Sequence, residues 1–281
     1  MKRFCVIGTP VGHSRSPELF ERFSAERGLR FGTDVEYLRN EIRTKEELER
    51  FIGELRNGEW KGCNVTMPWK TDMVSFMDEL SDTAGLTGAV NTVSFRDGKL
   101  YGDSTDGCGM LNAIKMLSGQ SEEGKNLVIL GCGGAARSII AEAAQRKTGR
   151  ITIVCRKKGD RPDPSSNLGL TMSMVEKFRG SVTEVEFIDS EDKTALFDEL
   201  SKADMLINST PVGMMTGNGD EMKLPLPSET VFDNELIVAD CVYNPDETLL
   251  IKKAVECGCR TVKGIRMLEE QARCGVGVLL G

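Results

Sequence analysis

Short apolar runs alternate with polar, helix-period stretches along the whole 281-residue chain. In the first hundred residues Phe4–Ile7, Val35–Leu38 and Gly62–Val65 read as strands, Pro17–Arg27 as a helix and Lys45–Leu55 as a charged helix. Thr92–Phe95 and Lys99–Tyr101 flank Asp97-Gly98, the turn signal of a hairpin. A helix over Met110–Leu117 and a polar stretch from Ser118 to Asn126 follow. The alternation then resumes with strand Leu127–Leu130, helix Ser138–Gln145, strands Ile151–Val154 and Val185–Ile188, helix Thr194–Lys202, and strands Met205–Asn208 and Ile237–Asp240. Asp160–Ser166 and Gly213–Pro227 read as loop insertions. Strands and helices that alternate across short connections build a doubly wound parallel sheet, and the length suits two domains with a junction near residues 106–110.

One of these βα junctions carries chemistry. Leu127-Val-Ile-Leu-Gly-Cys-Gly-Gly-Ala-Ala136 leads from a strand through Gly131-x-Gly133-x-x-Ala136 into a helix, and Ile151–Val154 completes a βαβ unit. Gly131 permits the tight turn, Gly133 lets a pyrophosphate touch backbone, and Ala136 lets the helix lie close on its strand. The phosphates would sit on the helix N-terminus. An acidic residue that would bind a ribose 2′-hydroxyl is missing where the second strand ends, and Cys155-Arg156-Lys157-Lys158 stands there instead. Cations there favour a 2′-phosphate, hence NADP; Asp160 nearby leaves NAD open.

Composition narrows the chemistry further. A net charge of −7 argues against nucleic acid. No apolar run approaches the roughly 20 residues of a membrane span, and the first apolar run is too short for a signal peptide, so a cytoplasmic protein is expected. The nine cysteines, among them Cys5, Cys63, Cys132, Cys155 and Cys241, are scattered and read as reduced core residues. Cys257-Gly-Cys259 has neither a second pair nor a nearby His, so no metal site is expected. With His13 the only histidine, proton transfer falls to Lys, Asp, Glu or Tyr.

Three loops of the first half display polar groups: Gly12-His-Ser14-Arg-Ser16-Pro17, Asn64-Val-Thr66-Met-Pro-Trp-Lys70, and Asn91-Thr92 with Thr105-Asp106-Gly107. Each alone has a structural reading, Ser16 as a helix N-cap before Pro17 for example. Together they supply the hydroxyls, amides, ammonium and carboxylate that a polyhydroxylated acid needs. These segments resemble the shikimate dehydrogenase family, as do Gly88-Ala-Val-Asn-Thr92, Thr105-Asp-Gly-x-Gly109, Asn208-Ser-Thr-Pro-Val-Gly213, Asp240-Cys-Val-Tyr-Asn-Pro245 and Gly264-x-x-Met-Leu-x-x-Gln-Ala272. The resemblance runs from Ile7 to Ala272.

The resemblance implies an α/β fold with an N-terminal substrate-binding domain (1–106, completed by a C-terminal helix 265–281). It also implies a Rossmann-type NADP-binding domain (107–264), with the active site in the cleft between them. It implies Lys70 as catalytic acid/base with Asp106 as its partner, and Ser14, Ser16, Asn64, Thr66, Asn91, Tyr243 and Gln271 at the substrate. At the cofactor it implies Gly131, Gly133, Gly134, Ala135, Arg156, Lys157, Ser209, Thr210, Pro211 and Gly264. The expected reaction is reversible reduction of 3-dehydroshikimate to shikimate with NADP, by a monomer or homodimer with no nucleic-acid or membrane partner. Ammonium Lys70 would stabilise the charge left on oxygen and supply the proton. Three segments depart from the family: Phe20-Glu21 replaces a usual His-Asn, Arg266 a usual Gly, and the basic Cys155-Arg-Lys-Lys segment differs from a commoner Asn-Arg-Thr. A quinate/shikimate dehydrogenase using NAD or NADP is the alternative, although Ser16 stands where quinate users often carry Thr. A non-catalytic sensor of dinucleotide or shikimate is the alternative of another class, against which the retained Lys70 and Asp106 argue.

Overall fold

The computed structural model describes residues 1–156, 162–178, 183–215 and 223–281. They divide into two compact units, Met1–Thr105 with Gln271–Gly281, and Asp106–Glu270.

The first unit is built on strands β1 (Lys2–Gly8), β2 (Val35–Glu41), β3 (Gly62–Val65), β4 (Glu79–Leu80), β5 (Thr92–Arg96) and β6 (Lys99–Asp103), in the order β2-β1-β3-β5-β6-β4. β1 pairs in parallel with β2 and β3, whereas β5 pairs antiparallel with β3 on one side and β6 on the other. The β5–β6 turn is made by Asp97 and Gly98, both at positive φ, as the Asp-Gly signal predicts. Helix α1 (Ser16–Glu26) buries Leu19, Phe20 and Phe23. Helix α2 (Lys45–Arg56) opens with a capping box between Thr44 and Glu47 and buries Leu48, Phe51, Ile52 and Leu55 at helical spacing. Those side chains join Cys5, Ile7, Trp60, Val65, Met73 and Val90 in one core.

The second unit carries β7 (Asn126–Leu130), β8 (Arg150–Cys155), β9 (Glu184–Asp189), β10 (Met205–Asn208), β11 (Ile237–Asp240) and β12 (Arg260–Val262), in the order β12-β11-β10-β7-β8-β9. Every pairing is parallel. The central strands β7, β10 and β11 are buried and read as near-continuous apolar runs, as expected where both faces are covered, whereas the edge strands β9 and β12 are partly exposed. The order reverses between β7 and β10, so the chain leaving these two strands forms the crevice where such sheets take ligands.

Helices α4 (Asp106–Ser118) and α5 (Gly134–Gln145) start four residues earlier than the apolar pattern indicated. Glycines at both starts hide the period, yet they serve the packing: Gly107 donates its amide to Ser138 Oγ at 2.9 Å where α4 crosses α5. Ser16 is not the N-cap expected of it. Arg15 holds that position with no side-chain cap, and Ser16 is the first helical residue. Helices α3 (Asp82–Thr87), α6 (Asn167–Glu176), α7 (Lys193–Ser201), α8 (Leu249–Glu256) and α9 (Gly264–Leu280), with a short 3-10 helix over Asp72–Phe76, complete the described elements. Of these, α3, α6 and α8 are not among the helices expected from the sequence. Cys5, Cys63, Cys132, Cys155, Cys241, Cys257 and Cys259 are free thiols; the reading of all nine as reduced holds for these seven and not for Cys108 and Cys274.

Candidate active site

In the first unit the polar loops meet in one continuous hydrogen-bonded chain. Ser14 Oγ donates to Ser16 Oγ at 3.0 Å, and Ser16 hydrogen-bonds the Tyr37 phenol. Tyr37 donates to Asn64 Oδ1 at 2.7 Å, and Asn64 Nδ2 donates to Thr92 Oγ1 at 3.0 Å. Thr92 Oγ1 donates to Asn91 Oδ1 at 3.0 Å, which also accepts from the Thr105 amide at 2.9 Å. Gln271, from α9, donates to Thr105 Oγ1 at 2.9 Å. Five of the seven expected substrate residues, Ser14, Ser16, Asn64, Asn91 and Gln271, therefore belong to one network. Asn91, Thr92 and Thr105 are buried while Ser14, Ser16, Asn64 and Gln271 are half-buried, so the network is fixed beneath and open above.

Two supports of this network carry no motif. Tyr37 is buried against Phe20, with ring centroids 4.7 Å apart, and Phe20 in turn packs on Phe4 at 5.1 Å. Phe20 is thus an apolar brace for Tyr37. Burial pushes the Tyr37 phenol well above its ordinary range, so it stays a hydrogen-bond donor to Asn64. Gly275 supplies the second support: a Cβ there would lie 3.2 Å from Asn64 Nδ2 and 3.4 Å from Thr92 Oγ1, so α9 approaches the asparagine by having no side chain at this point.

Thr66 and Lys70 lie on the loop after β3, both half-buried. The loop is anchored by the Thr66 amide to Ile7 O (2.9 Å), by Trp69 Nε1 to Ile42 O (2.8 Å), and by Val90 N to Lys70 O (2.8 Å). Lys70 therefore projects from a backbone held on both sides.

In the second unit Gly131 leaves β7 at φ +102°, and a Cβ on it would stand 3.0 Å from Ser209 Oγ and from Thr210 Cγ2. The site thus requires glycine twice over, for its dihedral and for its neighbours. Gly133 caps α5, and a Cβ on Gly133 or Gly134 would meet nothing within 4 Å, leaving backbone amides open at the helix N-terminus. Ala135 is half-buried, Ala136 fully buried. Across the switch point, Ser209 Oγ donates to Leu130 O at 2.6 Å and Thr210 Oγ1 to Asn208 Oδ1 at 2.7 Å, with Pro211 exposed beyond them.

A buried hub sets that second loop. Asn208 Nδ2 donates to Asp240 Oδ1 at 2.9 Å, the Val242 amide to the same oxygen at 2.9 Å, and Thr248 Oγ1 to Asp240 Oδ2 at 2.6 Å. Desolvation raises the Asp240 carboxyl from its ordinary 3.8 to about 6, against the pull of these three donors. Tyr243, three residues past β11 and half exposed, projects from the segment this hub holds. Gly264 is buried at the start of α9, packed on the Val242 carbonyl. Arg266 pairs with Glu269 at 2.8 Å one turn along the same helix. Asp106 occupies the first turn of α4, where the helix N-terminus favours a carboxylate. Arg156 is exposed at the end of β8; Lys157, with Lys158 and Asp160, lies outside the described residues. Among the described residues no cluster of three or more His, Cys, Asp or Glu side chains is placed to hold a metal ion.

Residues 6–93 match the sequence profile of the shikimate dehydrogenase substrate binding domain. A shikimate dehydrogenase (NADP(+)) of Listeria monocytogenes is 38% identical over 264 residues, 94% of this chain and 85% of the relative. The chain belongs to the shikimate dehydrogenase family. A shikimate dehydrogenase (NADP(+)) of Streptococcus suis is 34% identical over 95% of this chain and 86% of its own. A crystal structure of shikimate 5-dehydrogenase from Listeria monocytogenes, in complex with shikimate and NAD, superposes with a TM-score of 0.88 at 34% identity, covering 100% of this chain and 92% of that one.

Within the shikimate dehydrogenase family frame, the open glycine turn, the free amides of α5 and the switch-point crevice fit a dinucleotide. Tyr37, Gly275, Asn208, Asp240 and Thr248 were not foreseen as parts of the site. Asn208 and Asp240 lie within quoted motifs, but their partnership depends on the register that sets Asn208 beside Asp240 across β10 and β11.

Proposed function

We propose that this chain catalyses the reversible NADP-dependent reduction of 3-dehydroshikimate to shikimate. The observation that carries this reading is the Ser14–Ser16–Tyr37–Asn64–Thr92–Asn91–Thr105–Gln271 network, which arrays hydroxyl and amide groups for a polyhydroxylated ring acid. Ser14, Ser16, Asn64, Thr66, Asn91, Tyr243 and Gln271 take the substrate's carboxylate and hydroxyls. The turn of Gly131, Gly133, Gly134 and Ala135 takes the pyrophosphate. Ser209, Thr210, Pro211 and Gly264 shape the crevice beside it, and Arg156 with Lys157 takes the 2′-phosphate.

The nicotinamide, when bound, supplies the hydride. Lys70 stabilises the negative charge that builds on the ketone oxygen and gives it the proton; in the reverse direction neutral Lys70 removes the alcohol proton. Asp106 is the carboxylate that works with it. In this reading the enzyme acts in the cytoplasm on a small-molecule substrate, as a monomer or homodimer.

The test is kcat/KM for shikimate and for quinate, each with NADP and with NAD, followed by nicotinamide absorbance. A preference for shikimate with NADP upholds the assignment. Comparable turnover of quinate, or with NAD, makes the chain a quinate/shikimate dehydrogenase, and absence of turnover in all four combinations leaves a ligand-sensing relative.

A further inference from the structure

The turn that follows β7 holds a thiol pair that dinucleotide binding does not require. Cys132 stands half-buried between Gly131 and Gly133, and Cys155 is the buried last residue of β8. The Gly131 amide donates to Val154 O at 2.8 Å, which sets the next residue of each segment, Cys132 and Cys155, side by side. Their side chains are hydrogen-bonded. Both backbones are pinned: Thr171 Oγ1 donates to Cys132 O at 2.8 Å, and the Ser190 amide donates to Cys155 O at 3.0 Å.

The surroundings are cationic. Arg137, one turn into α5, is 5% exposed, and its Nε has no hydrogen-bond partner while Nη1 donates to Asn167 Oδ1 at 3.3 Å. Arg156 follows Cys155 directly. The amide end of α5, with no side chain capping it, adds positive potential. The hydrogen bond with Cys155, then Arg137 and Arg156, bring the Cys132 thiol down to about 7, so a large share is thiolate at neutral pH. Burial pushes Cys5, Cys63, Cys241 and Cys259 the other way.

We infer that Cys132 and Cys155 form a peroxide-responsive dithiol, with accessible Cys132 reacting first and buried Cys155 resolving it, and that its oxidation and dinucleotide binding exclude each other. The second half rests on the dinucleotide reading of this turn. The Cys132 thiolate attacks one peroxide oxygen and the O–O bond breaks; the departing hydroxide takes a proton and leaves as water, and Cys132 becomes a sulfenic acid. The Cys155 sulfur then attacks the Cys132 sulfur as it gives up its proton; the S–OH bond breaks, a second water leaves, and an S–S bond joins the two. The two sulfurs lose two electrons and the peroxide gains them. The new bond draws the turn toward the end of β8, where a bound adenosine ribose would lie.

The experiment treats the full-length protein with graded hydrogen peroxide at neutral pH, with and without NADPH. Remaining thiols are then blocked and peptides mapped by mass spectrometry, while NADPH fluorescence reports binding. A Cys132–Cys155 cross-link, a tenfold or greater loss of NADPH affinity reversed by dithiothreitol, and slower cross-linking in the presence of NADPH are expected. Cys132→Ser resists peroxide, and Cys155→Ser stops at a dimedone-reactive Cys132. Oxidation of Cys257 ahead of the pair overturns the dithiol, and a cross-linked protein that binds NADPH normally overturns the exclusion. Should untreated protein bind no NADPH, the dinucleotide reading fails by itself, and presence or absence of the cross-link still decides the dithiol.

Discussion

Asp240→Asn isolates the energetic cost of the hub behind the Ser209-Thr210 loop. The carboxyl of Asp240 is fully buried, and its affinity for a proton is raised from the ordinary 3.8 to about 6 in the folded chain. The folded state therefore holds the proton more tightly than the unfolded one. Between pH 4 and pH 6 it binds more protons, and stability falls as pH rises through that window. Above pH 6 the deficit is complete. A displacement of about two pH units corresponds to roughly 3 kcal/mol at neutral pH.

Asparagine preserves the partners. Its oxygen accepts from Asn208 Nδ2 and the Val242 amide as Asp240 Oδ1 does, and its amide nitrogen donates to Thr248 Oγ1 where Oδ2 now accepts. The variant removes the ionisation and turns the Thr248 hydroxyl proton away from this position, a cost that does not vary with pH and so drops out of the pH dependence. Urea unfolding of wild type and variant from pH 4 to pH 7.5 cancels every other carboxylate in the difference. The variant gains on wild type across pH 4–6 and levels off near 3 kcal/mol above it, or several degrees in Tm. Parallel stability curves would show that Asp240 ionises as in water, and the reasoning from burial would be wrong.

The same hub shows where sequence reading stops. The βαβ unit was legible because each part has local chemistry: an apolar run, glycines whose roles are steric, and a strand that ends in cations. The β5–β6 hairpin was legible for the same reason, since Asp97 and Gly98 tolerate the positive φ they adopt. Asn208 and Asp240, by contrast, meet only because β10 and β11 are neighbours in register, and neither strand order nor register is encoded locally. Gln271 was placed by resemblance alone; it reaches Thr105 because α9 brings the end of the chain back to the first unit. Tyr37 sits in β2, where alternation marks it as core, and its hydroxyl shows a further role only once Asn64 of β3 lies opposite. Ser16 failed as a cap because its hydroxyl is committed to Ser14 and Tyr37.

Three substitutions test the remaining site assignments. Lys70→Ala should lower kcat by about 10²–10⁴ while leaving NADPH affinity unchanged, which removes the acid/base and nothing at the cofactor; activity near wild type would remove the lysine from the mechanism. Arg156→Ala should weaken NADP by about ten- to a hundredfold, the worth of charge-assisted hydrogen bonds, with little effect on NAD; equal losses would mean Arg156 does not read the 2′-phosphate. Tyr37→Phe deletes one hydroxyl from a buried ring and keeps its packing on Phe20, so its cost falls on Asn64. Asn64 Oδ1 loses its donor while Nδ2 keeps Thr92, leaving the amide free to turn away from substrate. One neutral hydrogen bond is worth about 0.5–1.5 kcal/mol, so KM for shikimate should rise about two- to tenfold with kcat nearly constant. A fall in kcat at unchanged KM would instead tie Tyr37 to the chemical step, and a variant identical to wild type in both would show that Asn64 is held by its β5 partner alone.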